Sequence, residues 1–167
     1  LLSRRQRQMC IRDRIYSCHQ SKEVVTMKSM YTYLDLYDEL QELTEEEKNW
    51  FFTTCQDCLK ALGVEIPVYA LRHDLLTGKS KDALGICWKM ADSVTAAPKE
   101  AYITIDTYFI HECYEAKFHG RWNLSFETLE SVIAHEVAHL AVWRHGKKHR
   151  ELTARYCAVI DASRRAS

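Results

Sequence analysis

The chain has 167 residues, enough for one domain with a proper hydrophobic core. Its formal net charge is zero, which excludes a protein that is strongly basic or strongly acidic as a whole. No stretch reaches the apolar length that spans a membrane, so the sequence predicts a soluble, cytoplasmic protein with no membrane partner. The seven cysteines are odd in number and irregularly spaced, which favours reduced thiols over a disulfide framework.

Residues 1–26 form a basic segment, with six basic and two acidic side chains. The segment lacks the apolar run of a secretory signal. Its Met9–Arg14 run, Met-Cys-Ile-Arg-Asp-Arg, resembles the translation of a transposase end sequence used to build sequencing libraries. We therefore expect residues 1–26 to be a non-native or disordered leader, followed by a single domain over residues 27–167. A transit peptide or a nucleic-acid-binding arm is the alternative interpretation.

Two helices are predicted next. An apolar stripe at helical spacing indicates the first, over residues 30–43. Thr44 and Glu47 then form a capping-box pattern, and the helix that follows ends at Gly63. Cys55 and Cys58 on this helix have the spacing of a metal or redox pair, but no partner pair accompanies them. We interpret them as core residues.

The sequence predicts three strands, over residues 65–71, 83–90 and 101–106. Pro67 favours the start or an edge of the first strand, and a polar turn over 78–82 separates the first strand from the second. The helices that follow are predicted over residues 108–117, over the motif described next, and over 147–162. This order predicts an α+β domain in which a three-stranded sheet packs on the motif helix, with flanking helices.

Residues 135–139 read His-Glu-Val-Ala-His, the HExxH pattern of zinc hydrolases. Residues 125–143 contain no Gly or Pro, and Ser125 is a candidate N-cap, so a helix is expected here. On a helix, His135 and His139 leave the same face one turn apart. Glu136 lies about 100° round the helix, beside the metal rather than bound to it, where a carboxylate can take a proton from a metal-bound water.

A catalytic zinc site has three protein ligands and leaves the fourth position for water. His145, six positions after His139, is the predicted third ligand. We expect Gly146 to stop the motif helix soon after Trp143, which would place His145 in a turn close to the zinc. His149 is a spare candidate ligand, but one turn into the next helix it suits a supporting or packing role.

Three other histidines are interpreted without a function. His111 and Glu112 start like the motif but have Glu115 at the fifth position, so they are assigned to a surface helix. His73 and His119 are interpreted as loop residues.

These residues resemble the SprT-like zinc metallopeptidases, relatives of Spartan and of the WLM-type proteases. The resemblance rests on His135–His139, on the His-Gly-Lys-Lys-His run over 145–149, and on the strands around Leu84–Trp88 and Ile103–Asp106. It covers roughly residues 44–160. It implies a zincin-like fold, Zn²⁺ as cofactor and a zinc-dependent endopeptidase activity. It also implies His135, His139 and His145 as zinc ligands, with Glu136 as general base.

The sequence departs from the family pattern in three places. His145 follows His139 by only six positions, which is closer to WLM-type and metzincin spacing than to Spartan's. His149 stands where the family commonly has Phe or Trp. No cysteine pair follows Cys157, so the DNA recruitment attributed to the family's C-terminal zinc ribbon is not carried over to this chain.

The predicted partner is a protein or peptide substrate, bound by a monomer. Basic residues flank the predicted site, which makes nucleic acid, or proteins associated with DNA, a further candidate partner. These residues are Arg144, Lys147, Lys148 and Arg150. Two alternative functions remain open: a non-proteolytic metal-dependent hydrolase such as a nuclease, and a DNA- or protein-binding module in which zinc is structural.

Overall fold

The computed structural model describes residues 43–89, 101–123 and 125–166. Within these ranges the chain forms four α-helices and a three-stranded mixed sheet, which confirms the predicted α+β class. The expected leader over residues 1–26 and the helix expected over 30–43 lie outside the described residues, apart from the buried Leu43. None of the described helices combines the length and the apolar character needed to cross a membrane.

Helix α1 spans Glu45–Leu62 and is delimited as the sequence predicts. The Thr44 side chain accepts a hydrogen bond from the Glu47 backbone N–H, and the Glu47 carboxylate accepts one from the Thr44 N–H. Gly63 ends the helix in the left-handed region with φ of 64°, where a residue without Cβ is favoured. The capping box and the C-terminal glycine therefore define this element locally.

The sheet consists of β1 (Val68–Leu71), β2 (Gly85–Lys89) and β3 (Ala101–Asp106), in the order β1-β3-β2. Strand β3 is central and pairs in parallel with β1 and in antiparallel with β2. Pro67 lies just before β1, and its carbonyl accepts a hydrogen bond from Ile103 at 2.9 Å, as its predicted place at a strand start requires. The polar 78–82 segment, predicted as a turn, forms a short 3₁₀ helix.

Three more helices complete the domain: α2 (Thr107–His119), α3 (Leu129–Ala141) and α4 (Lys147–Ala166). Asp106 caps α2 by accepting a hydrogen bond from the Phe109 N–H. The helices and the sheet contribute to one hydrophobic core. Its largest fully buried apolar side chains include Phe51, Ile103, Ile105, Phe109, Ile110, Leu129, Val132, Ile133 and Ile160.

The sheet packs on α3 through a close approach at Gly85 of β2. A Cβ on Gly85 would lie 2.7 Å from Val132 Cγ1 and 2.9 Å from Glu136 Cγ. Real Cβ atoms do not approach other heavy atoms so closely, so the absence of a side chain at Gly85 permits this packing. The result is a strand laid directly over the motif helix, as predicted.

Candidate metal centre

The candidate site is formed by α3, α4 and the five residues that join them. Helix α3 begins at a capping box made by Thr128 and Ser131, so the predicted N-cap Ser125 is wrong. Ser125 instead lies in the preceding loop, where it hydrogen-bonds Asn123. The helix also ends earlier than expected, at Ala141, and Val142 leaves it with extended backbone. Gly146 is therefore not the stop signal and lies four residues beyond Val142.

Helices α3 and α4 form an antiparallel hairpin. Arg164, near the end of α4, is paired with Glu130 at the start of α3. At the opposite end of the hairpin, His139 near the end of α3 meets His149 in the first turn of α4, with ring centroids 4.1 Å apart. Because the two helices pack along their length, they bring together histidines ten positions apart in the sequence.

Four histidines converge at this end of the hairpin: His135, His139, His145 and His149. Each offers one ring nitrogen, and the four nitrogens lie within 4.8 Å of one another. The Nε2 atoms of His135 and His145 are 3.2 Å apart. Zinc–nitrogen bonds of about 2.0–2.1 Å place two tetrahedral ligands about 3.3 Å apart, so this separation fits two ligands of one zinc ion.

A backbone carbonyl sets the tautomer of His139. Its Nδ1 lies 3.1 Å from the Trp143 carbonyl oxygen, which can only accept a hydrogen bond, so Nδ1 carries the proton. The Nε2 atom then has the lone pair that a metal ion needs. Trp143 is itself held in place, because the Lys89 ammonium lies 4.5 Å from its ring centroid.

The electrostatic environment favours neutral imidazoles at His135 and His139. Burial, reinforced by the neighbouring histidines, lowers the pKa of His135 to about 3 and that of His139 to about 2. Neutral rings with lone pairs directed toward one another form a donor set that a cation stabilises. The four residues therefore fit a metal ion.

Glu136 lies beside this cluster and is fully buried, at 0% exposure. Its side chain contacts the β2 backbone, since a Cβ on Gly85 would lie 3.1 Å from Glu136 Oε1. Cys87, the next inward residue of β2, has its pKa raised to about 12 by burial and by the Glu136 carboxylate. The carboxylate is thus held between the motif helix and an edge strand.

The structure brings together the three predicted ligands His135, His139 and His145, and it adds His149. His149, predicted as a spare candidate ligand that suits a supporting or packing role, has its ring in the cluster and is 1% exposed. His145 and His149 are four positions apart in the sequence. This spacing was a signal for the placement, because both residues lie close to the start of α4. Sequence reasoning also missed the contributions of Gly85 and of the Trp143 carbonyl.

His73 is a buried histidine of a different kind, and the expectation of a loop residue is corrected. It is 0% exposed and lies in a short 3₁₀ helix. The Nδ1 atom donates to the Ala83 carbonyl at 2.6 Å, and Nε2 accepts from the Thr104 hydroxyl at 2.9 Å. The Thr104 oxygen in turn accepts from Trp88 Nε1 at 2.9 Å. Both nitrogens of this ring are occupied by hydrogen bonds within the protein.

The remaining candidates lie apart from the cluster. His111 on α2 bonds the Glu47 carboxylate, and His119 bonds Glu115. Cys55 and Cys58 are buried on α1, and burial raises the pKa of Cys58 to about 12, so they are core thiols as predicted. The described cysteines are all free.

The basic residues predicted to flank the site are exposed. Arg144 lies in the segment between α3 and α4, and the others project from the first turn of α4. These others are Lys147, Lys148 and Arg150. Lys147 has a distant ion pair with Glu151 at 3.8 Å. Exposed positive charge therefore lies next to His145 and His149 in the chain.

Comparison of the chain with protein-family models, with curated proteins and with solved structures finds no match. The resemblance to SprT-like metallopeptidases accordingly stays a prediction from sequence motifs. The geometry by itself defines a class of site: four converging imidazoles that can hold a metal ion.

Proposed function

We propose that the protein is a zinc-dependent endopeptidase with a zincin-like, SprT-type arrangement of its site. The observation that carries the proposal is the convergence of His135, His139 and further histidines next to the buried carboxylate of Glu136. Metal-binding histidines alone suit many roles. The combination with an acidic residue one position after the first ligand is what suits hydrolysis.

The histidines of the cluster would hold the ion. His139 is already oriented for this by its bond to the Trp143 carbonyl. A bound zinc ion would polarise a peptide carbonyl and lower the pKa of a water molecule toward about 7. In this proposal His135, His139 and His145 are the ligands that the sequence motif supplies, and His149 is the additional candidate that the fold contributes.

Glu136 would act as the general base. Its carboxylate would accept a proton from the attacking water and then deliver that proton to the amine nitrogen that leaves when the peptide bond breaks. Burial suits this role because it shields the carboxylate from bulk water, which would otherwise compete for the proton. The packing of Gly85 against the Glu136 side chain holds the base in one position.

The substrate would be an extended polypeptide. Strand β2 is an edge strand in the described sheet and crosses directly over Glu136. A peptide that added to this edge would form main-chain hydrogen bonds and bring a scissile bond near the cluster. The exposed basic residues beside the site, such as Arg144 and Lys148, support acidic substrates or proteins bound to nucleic acid.

One observation favours a second candidate, a binding module with structural zinc. Four histidines can fill a tetrahedral zinc site completely, and such closed sites are typical of structural zinc. A catalytic role and a structural role differ in what Glu136 does, so a substitution of Glu136 separates them.

The test is Glu136→Gln, with zinc content and peptide hydrolysis both measured. We expect the variant to keep its zinc, while hydrolysis falls by about 10²–10⁴-fold through loss of the general base. Glu112→Gln is the matched control, because Glu112 also follows a histidine on a helix but lies outside the cluster. A zinc-loaded wild type that does not hydrolyse peptides would remove the peptidase proposal and leave the structural role. Equal hydrolysis by wild type and Glu136→Gln would show that Glu136 is not the general base.

A further inference from the structure

We infer that His149 is a permanent ligand of the metal and that His145 is an exchangeable one, whose departure opens the coordination position that catalysis requires. This inference rests on the proposed function and deepens it by dividing the histidines into two groups. Both residues contribute nitrogens to the same cluster, yet they differ in exposure and in how the backbone holds them.

His149 is held firmly. It is 1% exposed and lies in the first turn of α4, with its ring centroid 4.1 Å from that of His139 and 4.5 Å from that of His135. Helix α4 is attached to the core by the buried Ile160 and to α3 by the Arg164–Glu130 ion pair. Because its ring is buried, His149 would have to displace packed neighbours to leave the cluster.

His145 has a different position in the chain. It is exposed and lies in the irregular segment between Val142 and Gly146, after the end of α3 and before α4. A Cβ on Gly146 would meet no heavy atom within 4 Å, so there is open space beside the chain at this point. Trp143 is anchored by Lys89 and by the bond between its carbonyl and His139, so a movement confined to His145 and Gly146 would leave that bond in place.

The consequence is a metal site that would change from four protein ligands to three when the segment between α3 and α4 moves. With all four imidazoles bound, the protein alone fills a tetrahedral shell, which is the closed arrangement of structural zinc. If His145 moved outward, His135, His139 and His149 would still hold the ion, and the fourth position would be available to an external donor. The exposed Arg144 next to His145 would let an acidic substrate favour the outward position.

The first part of the experiment measures zinc affinity by competition with a chromophoric chelator for wild type, His145→Ala and His149→Ala. We expect His149→Ala to weaken zinc binding by roughly a hundredfold or more and His145→Ala by less than about tenfold. His119→Ala, which removes an exposed histidine outside the cluster, should have no effect. Because His149 is buried, His149→Gln is measured as well, and far-UV circular dichroism of the metal-free proteins verifies the fold. Zinc loss in a folded His149→Gln reports the lost ligand.

The second part replaces zinc with Co²⁺ and titrates azide, an external donor that alters the visible absorption of cobalt. In His145→Ala the fourth position is open, so azide should bind at least about tenfold more tightly than in wild type, where it must displace an imidazole. Equal azide affinity in the two proteins would overturn the exchangeable role of His145.

Other outcomes also give clear answers. A larger zinc loss in His145→Ala than in both His149 variants would reverse the assignment and make His145 the permanent ligand. A wild type that binds neither zinc nor cobalt would end the proposed function itself. Metal binding with the expected ligand order but without peptide hydrolysis would support the division of roles and reject the peptidase.

Discussion

Two groups of histidine, His73 by itself and the cluster of four at the end of the α3–α4 hairpin, have opposite surroundings. His73 lies in a chain of hydrogen bonds that runs from Trp88 through Thr104 to the Ala83 carbonyl, and both of its ring nitrogens are used. At the end of the α3–α4 hairpin, the rings face one another, and the Nε2 atoms of His135 and His145 are 3.2 Å apart.

Burial lowers the pKa in both groups, to about 4 for His73 and to about 2 for His139. Burial and a shifted pKa therefore do not distinguish a structural histidine from a metal ligand. The distinguishing feature is the direction of the lone pairs: toward protein donors at His73, and toward a common point in the cluster. The first arrangement stabilises the fold by itself, whereas the second is one that can bind a cation.

The largest expected difference concerns the metal. His139→Ala should lower zinc content from one ion per chain to near zero, because the lost ring belongs to the motif and is the one oriented by the Trp143 carbonyl. His73→Ala should keep one zinc per folded chain. Elemental analysis after gel filtration measures both. A full zinc complement in His139→Ala would show that the cluster is not the metal site.

The next expected difference concerns stability. His73→Ala should lower the free energy of unfolding by about 2–5 kcal/mol, because it leaves a cavity and deprives the Ala83 carbonyl and the Thr104 hydroxyl of their partner. Urea denaturation of the metal-free protein measures this. His119→Ala, at an exposed site, should cost less than about 0.5 kcal/mol. A His73→Ala loss as small as that of the control would show that the chain of hydrogen bonds contributes little.

The smallest expected effect is the pH dependence that His73 contributes. Because its pKa is lowered to about 4 in the folded protein, the unfolded chain binds the proton more readily than the folded one. Its contribution to stability is complete above about pH 6.5 and is lost as the pH falls toward 4. The loss amounts to about 3 kcal/mol at most.

The measurement compares wild type with His73→Gln, which does not titrate, in urea denaturation between pH 4 and 7. The comparison is needed because Asp106 acts in the opposite direction. Burial raises the pKa of Asp106 to about 6, so its contribution is complete below its ordinary value of 3.8 and is lost as the pH rises through 6. A stability difference between the two proteins that does not shrink on acidification would contradict the assignment to His73.

Much of the fold could be predicted because its signals are local. The capping box of Thr44 and Glu47, the left-handed Gly63 and the alternation along β3 depend on neighbours in the chain, and each element formed as predicted. The errors also have local causes. Ser125 and Thr128 are equally plausible caps by residue type, and the structure selects Thr128, whose hydroxyl and Ser131 form the capping box.

The candidate site likewise has a part that local sequence predicts and a part that it does not. The spacing of His135 and His139 determines that they share a helix face, because the helical repeat is set by the backbone. His149 could not be assigned by the same argument. Its place in the cluster depends on where α3 ends, on the path of residues 142–146 and on the angle at which α4 packs, none of which is a property of adjacent residues.

The sequence by itself determined the α+β class, the helix with the HExxH pattern and the pairing of two histidines beside Glu136. Only the tertiary structure decided that His149 joins them, that His73 is buried in the core and that Gly85 lies against Glu136. The physical reason is the distance along the chain over which each kind of interaction acts. Helical periodicity and capping act over a few residues, whereas the distances between α3, α4 and β2 are set by the packing of the whole core.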